Sequence, residues 1–197
     1  MPRPELSPSG KVELKRTSIQ TTAKGPLHAM SIDVEDYFHV AALSSVIRPE
    51  QWDALPSRVE RNTERLLELF ERHNVRATFF VLGWVAERFP QLIKKLANHG
   101  HEIASHGYSH QLVYNQSIET FREETLRSKD LLESIIGREV FGYRAASYSI
   151  TRESLWALDI LSEAGFTWDS SIFPIRHDRY GIPDSPSAPY SIETDKG

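Results

Sequence analysis

The sequence predicts an α/β protein whose strands lie parallel in one sheet. Short apolar runs alternate along the chain with longer amphipathic segments, which is the pattern of successive β/α units. Polar residues that could do chemistry follow several predicted strands at their C-terminal ends, where sites assemble in β/α folds. With 197 residues, 40% of them hydrophobic and 25% charged, the chain suits one domain with a sizeable core.

The order of elements follows from the apolar periodicity and from glycines that end helices. The predicted strands span residues 29–34, 77–82, 102–105, 141–144 and 166–168. The predicted helices span residues 57–73, 85–98, 117–136 and 152–164. The polar, proline-containing start favours a flexible leader over residues 1–28, and the chain from residue 176 onward favours a loop.

Composition excludes several classes of function. The formal net charge of -4 gives no excess of Lys and Arg for binding nucleic acid. There are no cysteines, so a metal would have to use His, Asp, Glu and water. The most apolar window, residues 77–86, is too short to span a membrane. The start also lacks the apolar core of a secretion signal, so we expect a cytoplasmic protein.

Two histidines, His106 and His110, lie four residues apart in a polar segment directly after the strand predicted over 102–105. Residues i and i+4 share one face of a helical turn, so both imidazoles could reach one point. A carboxylate as third ligand would complete a divalent metal site that leaves positions open for water and substrate. We expect the neighbouring His99 and His101 to be structural.

Three acids, Asp33, Glu35 and Asp36, come within four positions at the end of the first predicted strand. Grouping them there costs free energy unless they are solvated, paired or bound to metal. If the strand continues to residue 35, Asp33 and Glu35 point the same way, so one could ligate a metal while the other takes a proton. The alternative is a solvated acidic turn.

Arg144 follows the fourth predicted strand, beside small residues. A buried arginine needs an anionic partner, and Asp33 is the natural candidate. Tyr148 follows at a spacing that would let its backbone N–H face a developing oxyanion. The polar turn at residues 169–171 could orient Arg144 or only cap a turn.

Together these segments resemble the polysaccharide deacetylase family, the carbohydrate esterases of family 4 that share the domain of the nodulation chitooligosaccharide deacetylase. Residues 101–110 (HEIASHGYSH) are similar to the family's second motif. Residues 31–39 (SIDVEDYFH) and 143–150 (YRAASYSI) are similar to the first and third motifs of a subfamily encoded beside bacterial exopolysaccharide and exosortase loci. The resemblance extends over residues 29–171.

The resemblance implies a distorted (β/α) barrel of about seven parallel strands that removes acetyl groups from an N-acetylated polysaccharide or oligosaccharide. It implies Asp33 as general base, Arg144 as the residue that holds the base, and the Tyr148 backbone as a donor to the oxyanion. The implied cofactor is a divalent metal, with Zn2+ expected and Co2+ or Ni2+ as alternatives. The oligomeric state stays open.

The resemblance also implies metal ligands. His106 and His110 match the ligands of the second motif. The family's usual first motif has two adjacent aspartates, of which the second binds the metal. Val34 stands in that place here, so the ligand would be Glu35 or Asp36. We prefer Glu35 because period-two geometry keeps it beside the base.

One family element is not found. The late Leu-x-His motif supplies a histidine that acts as general acid, and His177 lies among loop residues that do not fit it. We therefore expect this acid and the last part of the barrel beyond residue 197, so that residues 29–197 form an incomplete catalytic domain. Two other functions remain: a hydrolase of small cyclic amides or ureides on the same fold, and a non-catalytic carbohydrate-binding or assembly protein.

Overall fold

A computed structural model of the chain describes residues 13–15 and 28–193. The strands are β1 (Glu13–Lys15), β2 (Ser31–Val34), β3 (Thr78–Val81), β4 (Glu102–Ser105), β5 (Gly142–Tyr143), β6 (Trp168–Asp169) and β7 (Ser191–Glu193). The α-helices are α1 (Val59–Arg72), α2 (Gly83–Arg88), α3 (Pro90–Asn98), α4 (Ile118–Ile136) and α5 (Trp156–Glu163). Short 3-10 helices span Ala41–Leu43, Pro49–Ala54, Val113–Asn115, Ala146–Tyr148 and Arg152–Ser154.

The central sheet has five parallel strands in the order β2-β3-β4-β5-β6, which is their order along the chain. This confirms the predicted α/β class and the alternation of strand and helix. The sheet is not closed within the described residues, as expected for a distorted and incomplete barrel. The core forms where the apolar side chains of the strands meet the helices, and its fully buried members include Phe79, Val81, Ile93, Leu96 and Leu132.

One row of residues crosses the sheet at the carboxyl ends of the strands. From β2 to β6, each member pairs in register with the next, in the order Val34, Val81, Ser105, Tyr143 and Asp169. The residue that follows each strand therefore emerges at one edge of the sheet. Because parallel strands place all their carboxyl ends together, residues far apart in sequence can build one site there.

Two predicted helices and two unpredicted strands differ from the prediction. The helix expected over residues 85–98 is two helices, because Pro90 disfavours helical geometry at the preceding Phe89, where φ is -126 and ψ is 52. The helix expected over 152–164 starts as a 3-10 turn. Strand β1 lies in the segment expected to be a flexible leader and β7 in the segment expected to be a loop, and the two strands pair antiparallel. The other residues of the expected leader up to residue 27 lie outside the described residues.

In the described part of the chain, none of the helices combines the length and the apolar character that a membrane span requires.

Candidate metal centre

A cluster of three potential ligands forms at the carboxyl edge of the sheet. Glu35 follows β2, and His106 and His110 follow β4; each offers a ligand atom within 4.8 Å of the other two. Glu35 Oε2 lies 2.8 Å from His110 Nε2. The structure thus brings together three of the four predicted metal ligands.

The donor chemistry of this cluster fits a divalent cation. Glu35 Oε2 is buried, and its close polar neighbour among the described residues is His110 Nε2, at 2.8 Å. A bound cation would be a further partner for this buried carboxylate. One carboxylate and two imidazoles are a common ligand set for catalytic zinc, and they leave further positions for water and substrate.

Local interactions keep His106 ready to ligate. Its Nδ1 lies 2.7 Å from the carbonyl oxygen of Arg144, so Nδ1 carries the proton and donates to that oxygen. Nε2 is then the free ligand atom, an arrangement that is usual for metal-binding histidines. Burial lowers the pKa of His106, and the nearby Asp33 opposes this only in part, so the ring is held neutral as a ligand must be.

The charge balance of the cluster also favours cation binding. Burial by itself would raise the pKa of Glu35, but the hydrogen bond with His110 and the electrostatic effect of the surrounding imidazoles outweigh it, and the pKa is lowered. Glu35 is therefore a carboxylate at neutral pH, and a negative charge faces the two imidazoles.

The two histidines do not share a helical turn, so the local geometry expected from their spacing is wrong. Residues 106–110 form a loop that reverses through left-handed conformations at Gly107 (φ +74) and His110 (φ +55). The loop is fixed by hydrogen bonds from Gly83 N to Gly107 O (2.8 Å) and from Trp84 N to Tyr108 O (3.0 Å). These bonds hold the backbone at Gly107 and Tyr108, and the loop ends at His110 in a strained conformation of the kind found at functional sites.

Asp33 lies beside the cluster and is held there by Arg144. The guanidinium donates to Asp33 Oδ1 at 2.7 Å, so the predicted ion pair is present. The other carboxylate oxygen, Oδ2, lies 4.0 Å from His106 Nε2. Arg144 is itself buried, donates to Ser31 Oγ at 3.0 Å and stacks 3.9 Å over the ring of Phe80. One carboxylate oxygen is thus immobilised while the other faces the cluster.

The turn after β6 does both of the things considered for it. Ser170 Oγ accepts a hydrogen bond from Arg144 at 3.0 Å, which helps to orient the guanidinium. Asp169 accepts from the backbone N–H of Ser171 at 2.8 Å, and Ser171 Oγ in turn accepts from Ala145 N at 2.8 Å. Burial raises the pKa of Asp169 to about 6, and these hydrogen bonds and Arg144 limit the rise.

The structure does not bring Asp36 to the cluster. Its carboxylate accepts hydrogen bonds from Ser57 Oγ (2.6 Å), Arg58 N (2.9 Å) and Val59 N (3.2 Å). It therefore satisfies N–H groups at the start of α1, which a helix cannot satisfy internally. Of the two candidates, Glu35 has the geometry of a metal ligand, and the expectation that Asp36 could be one is corrected.

A free oxyanion donor at Tyr148 is also not found. The Tyr148 N–H donates to Ala145 O at 3.1 Å within the 3-10 turn Ala146–Tyr148. Ser147 and Tyr148 both have positive φ, 51 and 54, so the turn is strained. The Tyr148 ring centroid lies 5.5 Å from the Arg144 guanidinium carbon, so its side chain borders the site.

Sequence reasoning missed His39. It is 4% exposed and lies in a group of aromatic rings, with ring centroids 4.5 Å from Phe38 and Trp52 and 4.8 Å from Trp84. The only signal was its place after two aromatic residues in the acidic motif. His101, by contrast, has the structural role expected, because it is buried and its Nδ1 accepts from Ala77 N at 3.3 Å.

The amino-acid sequence of the chain is similar to those of known proteins. A family model described as polysaccharide deacetylase matches residues 51–168. A peptidoglycan-N-acetylglucosamine deacetylase of Bacillus cereus is 37% identical over 75 residues, which make up 38% of this chain and 27% of that protein. A peptidoglycan deacetylase of Helicobacter pylori is 32% identical over 111 residues, which make up 55% of this chain and 36% of that protein.

The fold is shared as well. A Mycobacterium smegmatis protein assigned to the polysaccharide deacetylases has a crystal structure that matches with a TM-score of 0.65 and 30% identity, over 81% of this chain and 56% of that one. The chain spans only about a quarter to a third of the two curated relatives, 27% and 36%. Because the family model matches more than half of its length, the chain belongs to the polysaccharide deacetylase family.

Proposed function

We propose that this chain hydrolyses the acetamide of an N-acetylated polysaccharide and releases acetate and a free amino sugar. The observation that carries the proposal is the ligand cluster of Glu35, His106 and His110, with Asp33 held beside it by Arg144. Amide hydrolysis needs an activated water, a base for its proton and stabilisation of the oxyanion.

Asp33 can serve as the base that this hydrolysis needs. Asp33 Oδ2 faces the cluster and can accept a proton from the attacking water, while the bond from Arg144 to Oδ1 keeps the carboxylate oriented. Glu35, His106 and His110 would hold a divalent metal, of which Zn2+ suits two imidazoles and a carboxylate. When bound, such a metal polarises a carbonyl group and lowers the pKa of water.

The identity of the relatives supports a glycan substrate. The Bacillus cereus and Helicobacter pylori proteins are named for peptidoglycan deacetylation, and N-acetylglucosamine appears in the name of the former. The first and third motifs of this chain resemble a subfamily encoded beside bacterial exopolysaccharide loci. We propose a glycan with N-acetylated sugars as the class of substrate.

The test is acetate release from N-acetylated oligosaccharides, peptidoglycan fragments and bacterial exopolysaccharide. We expect release by the zinc-loaded protein, its loss after treatment with a chelator, and its return when zinc is added back. The His106→Ala variant should release none. Undiminished release without metal would contradict the proposal, and so would hydrolysis of small cyclic ureides in place of the glycans.

A further inference from the structure

Helix α4 contacts the loop that carries both proposed histidine ligands. Three side chains of α4, those of Glu124, Arg127 and Ser128, reach the loop of residues 106–110. They are three and four positions apart in sequence, so they lie on one face of the helix. Each contacts a different loop residue, and all three of these loop residues lie between the two histidines.

Ser128 completes a ring of hydrogen bonds at Gly107. The Ser128 hydroxyl donates to Gly107 O at 3.0 Å and lies 2.9 Å from Ser105 Oγ, which accepts from Gly107 N at 3.1 Å. Because a carbonyl oxygen can only accept, the single hydroxyl proton of Ser128 goes to Gly107, and Ser105 donates to Ser128. Both serines are fully buried. The ring therefore holds Gly107, which directly follows His106, in its left-handed conformation (φ +74).

Glu124 holds the other end of the loop. Ser109 directly precedes His110, and its hydroxyl donates to Glu124 Oε1 at 2.5 Å. Burial raises the pKa of Glu124, and the hydrogen bonds from Ser109 and the charge of Arg127 limit the rise. An ionised acid in this place therefore costs free energy. A costly acid that contacts the residue beside a metal ligand is typical of a functional site.

Tyr108, in the middle of the loop, is held by α2 and α4 together. Its hydroxyl donates to Glu87 Oε2 at 2.7 Å, and the Arg127 guanidinium lies 3.7 Å from the centre of its ring. Arg127 also donates to Glu87 Oε1 at 3.0 Å. The Arg127 side chain is 57% exposed, and exposed ion pairs contribute little free energy. We therefore expect Glu124 and Ser128 to contribute more than Arg127.

We propose that this face of α4 positions the loop for metal binding, with Glu124 and Ser128 as the main positioning residues. The proposal rests on the proposed function, because it takes His106 and His110 as metal ligands. A divalent metal needs both imidazoles at one point, and a loop that is already ordered loses less conformational entropy when the metal binds. Removal of the contacts from α4 should then weaken metal binding although every ligand is still present.

A competing account is that these contacts only stabilise the packing of α4 on β4. In that account, removal of a contact lowers the free energy of unfolding but leaves the folded loop as it is. The affinity for zinc and the arrangement of the ligands would then not change. The two accounts therefore differ in what they predict for the metal and not only for stability.

Matched substitutions on α4 separate the two accounts. Ser128→Ala removes the hydroxyl that completes the ring, and Glu124→Ala removes the acceptor of Ser109. Ser134→Ala and Glu123→Ala are the controls, because they make the same changes at exposed positions of the same helix. Glu124→Gln keeps an oxygen that can accept from Ser109, so it tests whether the acceptor restores function.

The experiment measures zinc affinity by competition with a coloured chelator. We expect Ser128→Ala and Glu124→Ala each to weaken zinc binding by about threefold to tenfold, the usual worth of one hydrogen bond. Glu124→Gln should keep most of the affinity, and both controls should bind zinc as the wild type does. The same proteins loaded with Co2+ should show altered visible absorption bands only for the two alanine variants at Glu124 and Ser128, because these bands depend on ligand geometry.

Unchanged zinc affinity and unchanged Co2+ bands in both of these variants would overturn the proposal, and so would equal losses in the controls. Urea unfolding of the metal-free proteins establishes that each variant is folded. If Ser128→Ala and Glu124→Ala do not fold, Ser109→Ala removes the bond to Glu124 from the loop side, and the same loss of zinc affinity is expected. An unchanged affinity there would also overturn the proposal.

Failure of the proposed function is a separate result, because it is measured on the wild type. A wild-type protein that binds no zinc, or that binds zinc and releases no acetate, would contradict the proposed function. A wild-type protein that binds zinc and releases acetate, together with variants of unchanged zinc affinity, would refute only the role of α4.

Discussion

The two adjacent acids Glu35 and Asp36 have different roles in this protein. Successive side chains of an extended segment point to opposite sides, so Glu35 shares a side with Asp33 and faces the histidines. Asp36 points the other way and accepts hydrogen bonds at the start of α1. The two carboxylates are therefore distinguishable by experiment, although they are neighbours in sequence.

Exchanging each acid for its amide should separate these roles. Glu35→Gln removes the anionic ligand and should weaken zinc binding by at least about tenfold. Asp36→Asn should leave zinc affinity unchanged but lower the free energy of unfolding by about 1–3 kcal/mol, because buried N–H groups of α1 lose a charged acceptor. Competitive zinc titration and urea unfolding measure the two quantities. Loss of zinc from the Asp36 variant alone would reverse the assignment.

Asp33 is the residue whose loss should stop catalysis without loss of metal. Asp33→Asn removes the proton acceptor but none of the ligands, so we expect kcat to fall by about 10²–10⁴-fold. Zinc stoichiometry should stay as in the wild type. The measurement is the initial rate of acetate release by both proteins at equal zinc content, and a rate close to that of the wild type would exclude Asp33 as the base.

At the scale of elements, the site lies at the carboxyl ends of the strands. Close packing of β5 on β6 fixes the positions of Arg144 and Ser170, which follow these strands. Gly142 on β5 has no room for a side chain, since a Cβ there would meet the Trp168 ring at 2.0 Å. Arg144 follows β5 and Ser170 follows β6, and the two are hydrogen bonded. The spacing of these two strands therefore affects how Asp33 is held.

Gly142→Ala should accordingly destabilise the protein and reduce its activity. Forcing a methyl group into a filled site costs about 1–3 kcal/mol or more, and the shift of β6 would move Ser170 away from Arg144. Gly137→Ala is the control, since its φ of +69 gives backbone strain but nothing lies within 4 Å of the added Cβ. We expect it to cost about 1–2 kcal/mol with no change in kcat. Equal losses of activity in both variants would show that the β5–β6 contact does not affect the site.

At the scale of the whole molecule, the sequence was sufficient for the class of fold, the alternation of strands and helices and the pairing of Arg144 with Asp33. These depend on periodicity and on where strands end, which short windows of sequence reveal. The left-handed conformation of His110 was not predictable, because it ends a loop that hydrogen bonds from the distant Gly83 and Trp84 hold in place. The Tyr148 N–H is engaged locally by Ala145 O, in a turn whose positive φ angles at Ser147 and Tyr148 are not apparent from the residue types. The burial of His39 depends on Trp52 and Trp84, and no local pattern links these residues.

The buried His39 should make the stability of the metal-free protein depend on pH. Its pKa is lowered to about 4 in the folded state from the ordinary value of 6.5. As the pH falls below 6.5, the unfolded chain takes up a proton that the folded chain does not, so stability is lost between pH 6.5 and pH 4. The loss attributable to His39 by pH 4.5 should be about 2–3 kcal/mol.

Urea unfolding of the wild type and of His39→Asn at pH 7 and pH 4.5, with a chelator present, measures this loss. The variant has no titrating group at this position. Its free energy of unfolding should therefore fall between pH 7 and pH 4.5 by about 2–3 kcal/mol less than that of the wild type. Asp169, whose raised pKa of about 6 has the opposite effect on stability, is present in both proteins and its contribution cancels. Parallel pH profiles for the two proteins would mean that His39 is not held neutral in the folded state.

The central claim is that Glu35, His106 and His110 hold a divalent metal beside Asp33. The most direct measurement is a crystal structure of the zinc-loaded protein, with anomalous scattering recorded at the zinc absorption edge. We predict one strong peak about 2.0–2.2 Å from a Glu35 oxygen and from Nε2 of His106 and of His110. A peak at Asp36, or no peak among these three residues at full zinc loading, would contradict the account.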